Sequence, residues 1–247
     1  MRLCVAQTRP FTGEIARTIE AHLSLINVAT SNNSDLILFP ELSITGYEPT
    51  LANQLATTPD DHRLDVFQRL SNTHTITIGI GLPTRAPAGI HISLIIFQPH
   101  TARQVYSKQY LHADEEPFFV AGQPFTDFTV DNKAIALAIC YELFVPQHAQ
   151  DAANRGANLY MASVVKSVNG IGKALTRLAE IARTYAMPVL MANAVGQADG
   201  EECAGKSSVW NAAGVLIGQL TSTDEGLLLF DTDTQEVIAV TLPSASM

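Results

Sequence analysis

Short apolar, β-branched runs alternate with stretches of helical spacing along most of the chain. Leu3–Gln7 is predicted as a first strand. Glu14–Ala29 is predicted as an amphipathic helix, with Ile15, Ile19, His22, Leu23 and Ile26 at the spacing of one helical face. Leu36–Phe39 reads as a buried strand ended by Pro40, Asp61–Leu70 as a helix, and Thr75–Ile80 as a strand of Thr/Ile alternation. Ile92–Phe97 and Gln104–Tyr106 flank the turn-like Gln98-Pro99-His100-Thr101 and predict a hairpin. Ala134–Ile139, Leu159–Ser163 and Val189–Ala192 are three further buried strands, separated by helical stretches at Gln147–Arg155 and Lys173–Tyr185. From there to Val240 the pattern is short strands around Gly214, Gly218 and Gly226. This α/β alternation with inserted hairpins predicts a layered α/β sandwich. No Pro/Gly/Ser-rich linker, charge block or repeat divides the chain, so residues 1–247 are expected to form a single domain.

Composition narrows the function classes. Apolar residues make up 47% of the 247 positions and Asp, Glu, Lys and Arg 16%, which excludes a disordered chain. The formal charge of −9 comes with no basic cluster, so nucleic acid is not an expected partner. Polar residues appear too early for a secretory segment, and no apolar run reaches the roughly 20 residues of a membrane span. Three widely separated cysteines, Cys4, Cys140 and Cys203, fit a reducing compartment. A soluble, cytoplasmic protein with no membrane partner is expected.

Gly200–Ser207 satisfies the G-x-x-x-x-G-K-[ST] phosphate-loop pattern letter by letter. That motif must run into a helix, whereas Ser207–Trp210 followed by Asn211-Ala212-Ala213-Gly214 reads as strand and turn. Glu201 and Glu202 would also place negative charge where phosphates must sit. A surface hairpin loop is the better reading, and ATP-dependent stabilisation would be the mark of the alternative.

Cys140 ends the strand Ala134–Ile139, and in α/β sheets reactive groups gather past the carboxyl ends of strands. Cys4, inside a strand, reads as core. A thiol needs a base or cation beside it to become a nucleophile. The seven histidines are scattered, none in a telling context, and no Cys or His pair has metal-ligand spacing, so neither a metal nor another cofactor is expected. Two other strand ends carry a charge: Glu41 follows Leu36–Pro40, and Lys108 follows Gln104–Ser107. Either alone is an ordinary solvated loop charge. A carboxylate, an ammonium and a thiol at three strand ends form a proton acceptor, an oxyanion partner and a nucleophile.

These residues sit in three blocks: Phe39–Tyr47 around Glu41, Tyr106–Leu111 around Lys108, and Ala138–Pro146 around Cys140. In order and spacing they resemble the nitrilase superfamily of carbon–nitrogen hydrolases, whose members use a Glu-Lys-Cys triad. Further likeness at Glu180–Asn193 and Gly205–Gly214 extends it over nearly the whole chain. The resemblance implies a four-layer α-β-β-α sandwich, commonly assembled as a homodimer or higher homo-oligomer. It also implies a second glutamate seven residues before Gly122, which is Glu115, with Glu116 the neighbouring alternative. Pro117 and Ala121 depart from the commoner residues of that loop.

The chemistry so implied is hydrolysis of a small-molecule amide, with water as co-substrate, through a thioester. Glu41 takes the Cys140 proton, Lys108 and the backbone N–H of Tyr141 hold the oxyanion, and Glu115 orients the lysine or assists proton transfer. Nitrile hydrolysis or carbamoyl hydrolysis within the same family is an alternative, as is a non-catalytic binding scaffold; Tyr rather than Trp after the cysteine favours an amide over a nitrile. Tyr47, Tyr141, Phe144 and Ser163 are the candidate substrate-binding residues, since they adjoin the triad or a strand end. The stretch Ser163–Lys173, including Lys166, reads either as a pocket rim or as a surface connection.

Overall fold

The computed structural model describes residues 1–124 and 128–242. In chain order it begins with β1 (Arg2–Gln7), α1 (Ile15–Ser31), β2 (Leu36–Leu38), a short α2 (Ala52–Leu55), α3 (Asp65–His74), β3 (Thr77–Ala86), β4 (Gly89–Phe97) and β5 (Gln104–Ser107). Then come β6 (Phe128–Val130), β7 (Lys133–Ile139), α4 (Pro146–Asn154), β8 (Leu159–Ser163), α5 (Ile171–Tyr185) and β9 (Val189–Ala192). The chain closes with β10 (Val195–Ala198), β11 (Glu201–Ala204), β12 (Ser208–Trp210), β13 (Leu216–Gln219), β14 (Gly226–Asp231) and β15 (Val237–Thr241).

Two sheets form, one in the order β15-β14-β1-β2-β3-β4-β5 and one in the order β13-β12-β9-β8-β7-β6, with β10 and β11 a separate hairpin. The middle of each sheet is parallel, β1-β2-β3 and β7-β8-β9, and antiparallel strands complete the flanks. Strand β1 shows the layering, because its side chains alternate between two environments. Leu3 and Val5 enter the core shared with β7, β8 and β9. Cys4 and Ala6 face the other way, against Ile19, Leu25 and Ile26 of α1 and Phe67 of α3. Ala149 and Ala152 of α4 and Ala174 and Leu178 of α5 pack on the second sheet. The order is therefore helix, sheet, sheet, helix, the α-β-β-α sandwich expected. No helix among the described residues is long and apolar enough to cross a membrane.

Two elements differ from the sequence expectation. The strand expected over Thr75–Ile80 starts later and runs to Ala86, pairing with β4 from Ile78↔Phe97 to Ala86↔Gly89. Pro83 would ordinarily end such a run, but its missing N–H faces the edge beyond β2, where Thr57 N–H donates to the Pro83 carbonyl. No ladder bond is lost there. The helix expected over Asp61–Leu70 begins instead as a 3-10 turn at His62–Leu64, capped by the Asp61 carboxylate, and α3 ends at Thr75 with φ +54°.

Strands β7 and β8 are parallel and end level, Ile139 beside Ser163. Ser163 Oγ donates to the Phe39 carbonyl of the other sheet at 2.9 Å. The ends of β2, β7 and β8 thus meet, and that meeting point is where the polar residues gather.

Candidate active site

Glu41 lies in the turn Pro40–Ile44 after β2, pressed against β3. A Cβ on Gly81 would come within 2.5 Å of the Pro40 carbonyl and the Leu42 amide. Ile44 N–H bonds to the Gly81 carbonyl at 2.9 Å, and Gly81 N–H to Ser43 Oγ at 3.3 Å. Only a residue without a side chain lets the Glu41 turn approach so closely. Lys108 follows β5, and its carbonyl accepts the Gly122 N–H at 2.7 Å. A Cβ on Gly122 would fall 2.4 Å from the Ser107 carbonyl oxygen. This glycine closes the loop that carries Glu115 back onto Lys108.

Glu41, Lys108 and Glu115 are all buried. The Lys108 ammonium donates to Glu41 Oε1 at 2.8 Å and to Glu115 Oε1 at 2.5 Å. Glu115 is fully engaged: Oε1 also accepts the Tyr47 hydroxyl at 3.0 Å, and Oε2 accepts the His112 N–H at 2.8 Å. Glu116 is exposed and takes no part. By contrast, Glu41 Oε2 is buried with no hydrogen-bond partner among the described residues. Two carboxylates flank one ammonium, and only Glu41 keeps an oxygen to receive a proton.

Cys140 is the first residue of a 3-10 turn, Cys140–Phe144, and has φ +45°. A non-glycine residue in that region is held there at a cost of about 1 kcal/mol or more, as active-site strain often is. The thiol is 8% exposed, and its S–H donates to the Val165 carbonyl at 3.6 Å. Burial pushes the Cys140 thiol up, and the Glu41 charge adds to this, while the Lys166 and Lys108 ammoniums pull it down. Burial likewise raises Glu41, Lys108 opposing and Glu115 reinforcing the rise. Burial disfavours the Lys108 ammonium, but the charges of Glu41, Cys140 and Glu115 outweigh it and hold its pKa above the ordinary lysine value. A carboxyl whose proton affinity burial has raised suits proton exchange with a thiol.

The sulfur opens into a cavity of about 640 Å³ walled by Tyr47, Glu115, Tyr141, Val165, Lys166 and the β10–β11 hairpin, with Phe118 at the rim. Glu41 and Lys108 do not line it, and Lys108 joins its wall through Glu115. Of the residues singled out for substrate contact, Tyr47 and Tyr141 line it, whereas Phe144 and Ser163 do not. Phe144 lies beneath Lys166, whose ammonium is 5.0 Å from the ring centroid. Ser163 spends its hydroxyl on Phe39. The Gly200–Ser207 segment is a hairpin running into β12, with no helix after Lys206. Its Glu201 and Cys203, with Asp199 just before it, nevertheless form one side of the cavity, so it is a wall of the site as well as a surface loop.

Two residues gain a part that the sequence left open, for Lys166 between pocket rim and surface connection, or did not raise, for Glu142. Lys166 brings a second ammonium to the cavity. Glu142 is fully buried and accepts the N–H groups of Gln109 and Ile139, each at 2.6 Å, fixing the residue after Lys108 and the residue before Cys140.

A family model described as carbon-nitrogen hydrolase matches residues 2–241. The chain belongs to the carbon–nitrogen hydrolase family. Among solved structures it is similar to the amidase from Nesterenkonia sp. AN1, of the nitrilase superfamily, whose cysteine mutant was solved with butyramide. That similarity has a TM-score of 0.86 and 23% identity, covering 95% of this chain and 92% of the other. Among curated proteins, a glutamine-dependent NAD(+) synthetase of Thermotoga maritima is 23% identical over 98% of this chain and 44% of its own. A probable nitrilase of Schizosaccharomyces pombe is 24% identical over 93% of this chain and 87% of its own. This carbon–nitrogen hydrolase spans about half the length of the NAD(+) synthetases it matches.

Proposed function

We propose that this protein hydrolyses the C–N bond of a small amide through a thioester on Cys140. The observation that carries the reading is the division of labour around Lys108: Glu115 is saturated, while Glu41 keeps a free buried oxygen and acts electrostatically on the Cys140 thiol. Glu41 accepts the S–H proton, the sulfur attacks the amide carbonyl, and the C–S bond forms as the carbonyl π pair moves onto oxygen. Lys108 has three N–H donors and spends two on carboxylates, leaving one for that oxyanion beside the Tyr141 N–H. Each such donor is typically worth about 3–4 kcal/mol. The Glu41 proton passes to the leaving nitrogen as the carbonyl re-forms and the C–N bond breaks. Glu41 then takes a proton from water as the water oxygen adds to the thioester, and returns it to sulfur as the C–S bond breaks and the acid leaves. Glu115 holds Lys108 in place. Among the family's substrates an amide is favoured by the fold shared with the Nesterenkonia amidase. In another structure of that amidase, acrylamide is added at the active-site cysteine.

A second reading is hydrolysis of the side-chain amide of glutamine, favoured by the relatives named glutamine-dependent. Ammonia release from aliphatic amides, glutamine, carbamoyl compounds and nitriles separates these. Cys140→Ala is expected to keep the wild-type thermal midpoint while losing ammonia release and the acyl-enzyme seen by intact mass. An acyl adduct on the Cys140→Ala protein would overturn the assignment.

A further inference from the structure

Lys166 follows β8 by three residues, and its main chain is tied down on both sides. Its N–H donates to Asn193 Oδ1 at 2.8 Å, and its carbonyl accepts Ala204 N–H at 2.9 Å and Asn193 Nδ2 at 3.3 Å. The side chain is partly buried, lies over the Phe144 ring and faces the cavity beside Cys140. No salt bridge joins it to any carboxylate among the described residues. A partly buried ammonium held by so firm a backbone, over a ring face and hydrogen-bonded to the still-neutral Cys140 thiol, lacks a counter-ion.

The site supplies one. With a neutral thiol, Glu41 and Glu115 carry the negative charges and Lys108 lies between them. When the Cys140 S–H bond breaks and the proton moves to Glu41, the negative charge leaves the Lys108 side and arrives on sulfur. Val165, next to Lys166, already touches that sulfur through its carbonyl. We propose that Lys166 is the counter-ion of the Cys140 thiolate, a second ammonium that makes the proton transfer to Glu41 a movement of charge from one lysine to the other. The electrostatics agree in direction. Lys166 is the largest influence favouring the thiolate, ahead of Lys108. Burial disfavours the Lys166 ammonium, yet its pKa stands raised, Cys140 being the largest favourable influence. The other titratable groups around the sulfur are Tyr47, Tyr141 and Cys203, at the cavity wall, and His112, Asp114, Asp199 and Glu201, which are exposed at the rim. Water screens the rim charges, so they do not substitute for Lys166.

This inference rests on Cys140 being the nucleophile, and the test needs no amide substrate. The pH profile of iodoacetamide alkylation at Cys140, read by intact mass on the full chain, is compared between wild type, Lys166→Met and Lys166→Arg, with Cys140→Ala identifying the site. Lys166→Met is expected to move the inflection up by about one unit, slowing alkylation at pH 7 about tenfold. Lys166→Arg is expected to restore it to within about threefold. Thermal midpoints accompany each variant, and if Lys166→Met does not fold, Lys166→Gln replaces it. A Lys166→Met profile that overlays wild type overturns the counter-ion role, even if that variant binds carboxylate-bearing amides more weakly. A wild-type Cys140 that does not alkylate overturns the nucleophile reading as well.

Discussion

The two buried polar clusters at the ends of β5 and β7 make an instructive pair. Both are built around a buried glutamate, and both bear on Cys140, one through the backbone before it and one through its charge. Around Glu142 every acceptor is used: Oε1 takes the Gln109 N–H, and Oε2 takes the Ile139 N–H and the Tyr106 hydroxyl at 2.5 Å. The chain continues through His148, whose Nε2 is 2.9 Å from the Tyr106 hydroxyl and whose Nδ1 is 2.9 Å from the Tyr160 hydroxyl. Around Glu41 the network stops short, with Oε2 unbonded. A finished network rigidifies, whereas an unfinished one stores the capacity to take a proton at the expense of stability. The Glu142 cluster therefore holds the peptide backbone from which Lys108 and Cys140 project, and the Glu41 cluster is the one to which the proposed reaction assigns the proton transfer.

The same isosteric substitution at both glutamates breaks or sharpens this contrast. Glu41→Gln removes the proton acceptor, and kcat/KM for ammonia release is expected to fall about a thousandfold, some 4 kcal/mol of barrier. Urea unfolding should change by no more than about 1 kcal/mol, because Lys108 keeps its Glu115 partner. Glu142→Gln should act in the opposite sense. An amide NH2 there must face the Gln109 or Ile139 N–H, leaving a buried donor unpaired, and urea unfolding is expected to show a loss of about 3 kcal/mol. Equal stability losses from the two variants would mean that the two clusters do not divide the work in this way.

The contrast also explains what could be read from the sequence. Glu41, Lys108 and Cys140 were legible because each ends a short apolar strand, and strand ends in an α/β sandwich meet at one edge. Glu115 was legible only through a resemblance, as its spacing to Gly122 means nothing until Gly122 is seen against Ser107. Lys166 was legible only as one of two readings: its stretch, Ser163–Lys173, reads as pocket rim or surface connection, and Lys166, Ser167 and Gly170 do line the cavity. What places it is a pair of contacts to Asn193, distant in the chain. Glu142 stood in plain view beside Cys140, but its function lies in an N–H group 33 residues away. Ser163 was misjudged for the opposite reason: it does end a strand, but its side chain turns into the seam between the sheets rather than into the cavity. The β3–β4 ladder runs past the Ile80 end expected from the Thr/Ile alternation, because Gly81 accommodates the Glu41 turn and Pro83 faces an edge without a strand partner.

The finished network is expected to carry a pH signature of its own. Burial holds His148 neutral, lowering its pKa from 6.5 to about 4, while burial raises Glu142 from 4.5 to about 7. For His148 the unfolded chain binds the extra proton between those values, so its contribution is complete above pH 6.5 and is lost as pH falls towards 4. For Glu142 the folded state binds the extra proton, so its contribution is complete below 4.5 and is lost as pH rises towards 7. The two slopes oppose each other over the shared window, and the pair together leaves little net pH dependence there. His148→Gln removes one slope. The stability gap between wild type and variant, from urea unfolding at pH 4.5, 5.5 and 6.5, should widen as pH rises, by about 2–3 kcal/mol across the series. His22, lowered to about 3 by burial, contributes equally to both proteins and cancels in the difference. A gap that stays constant, or narrows as pH rises, would show that His148 is not held neutral and that the Glu142 network is no more complete than its neighbour.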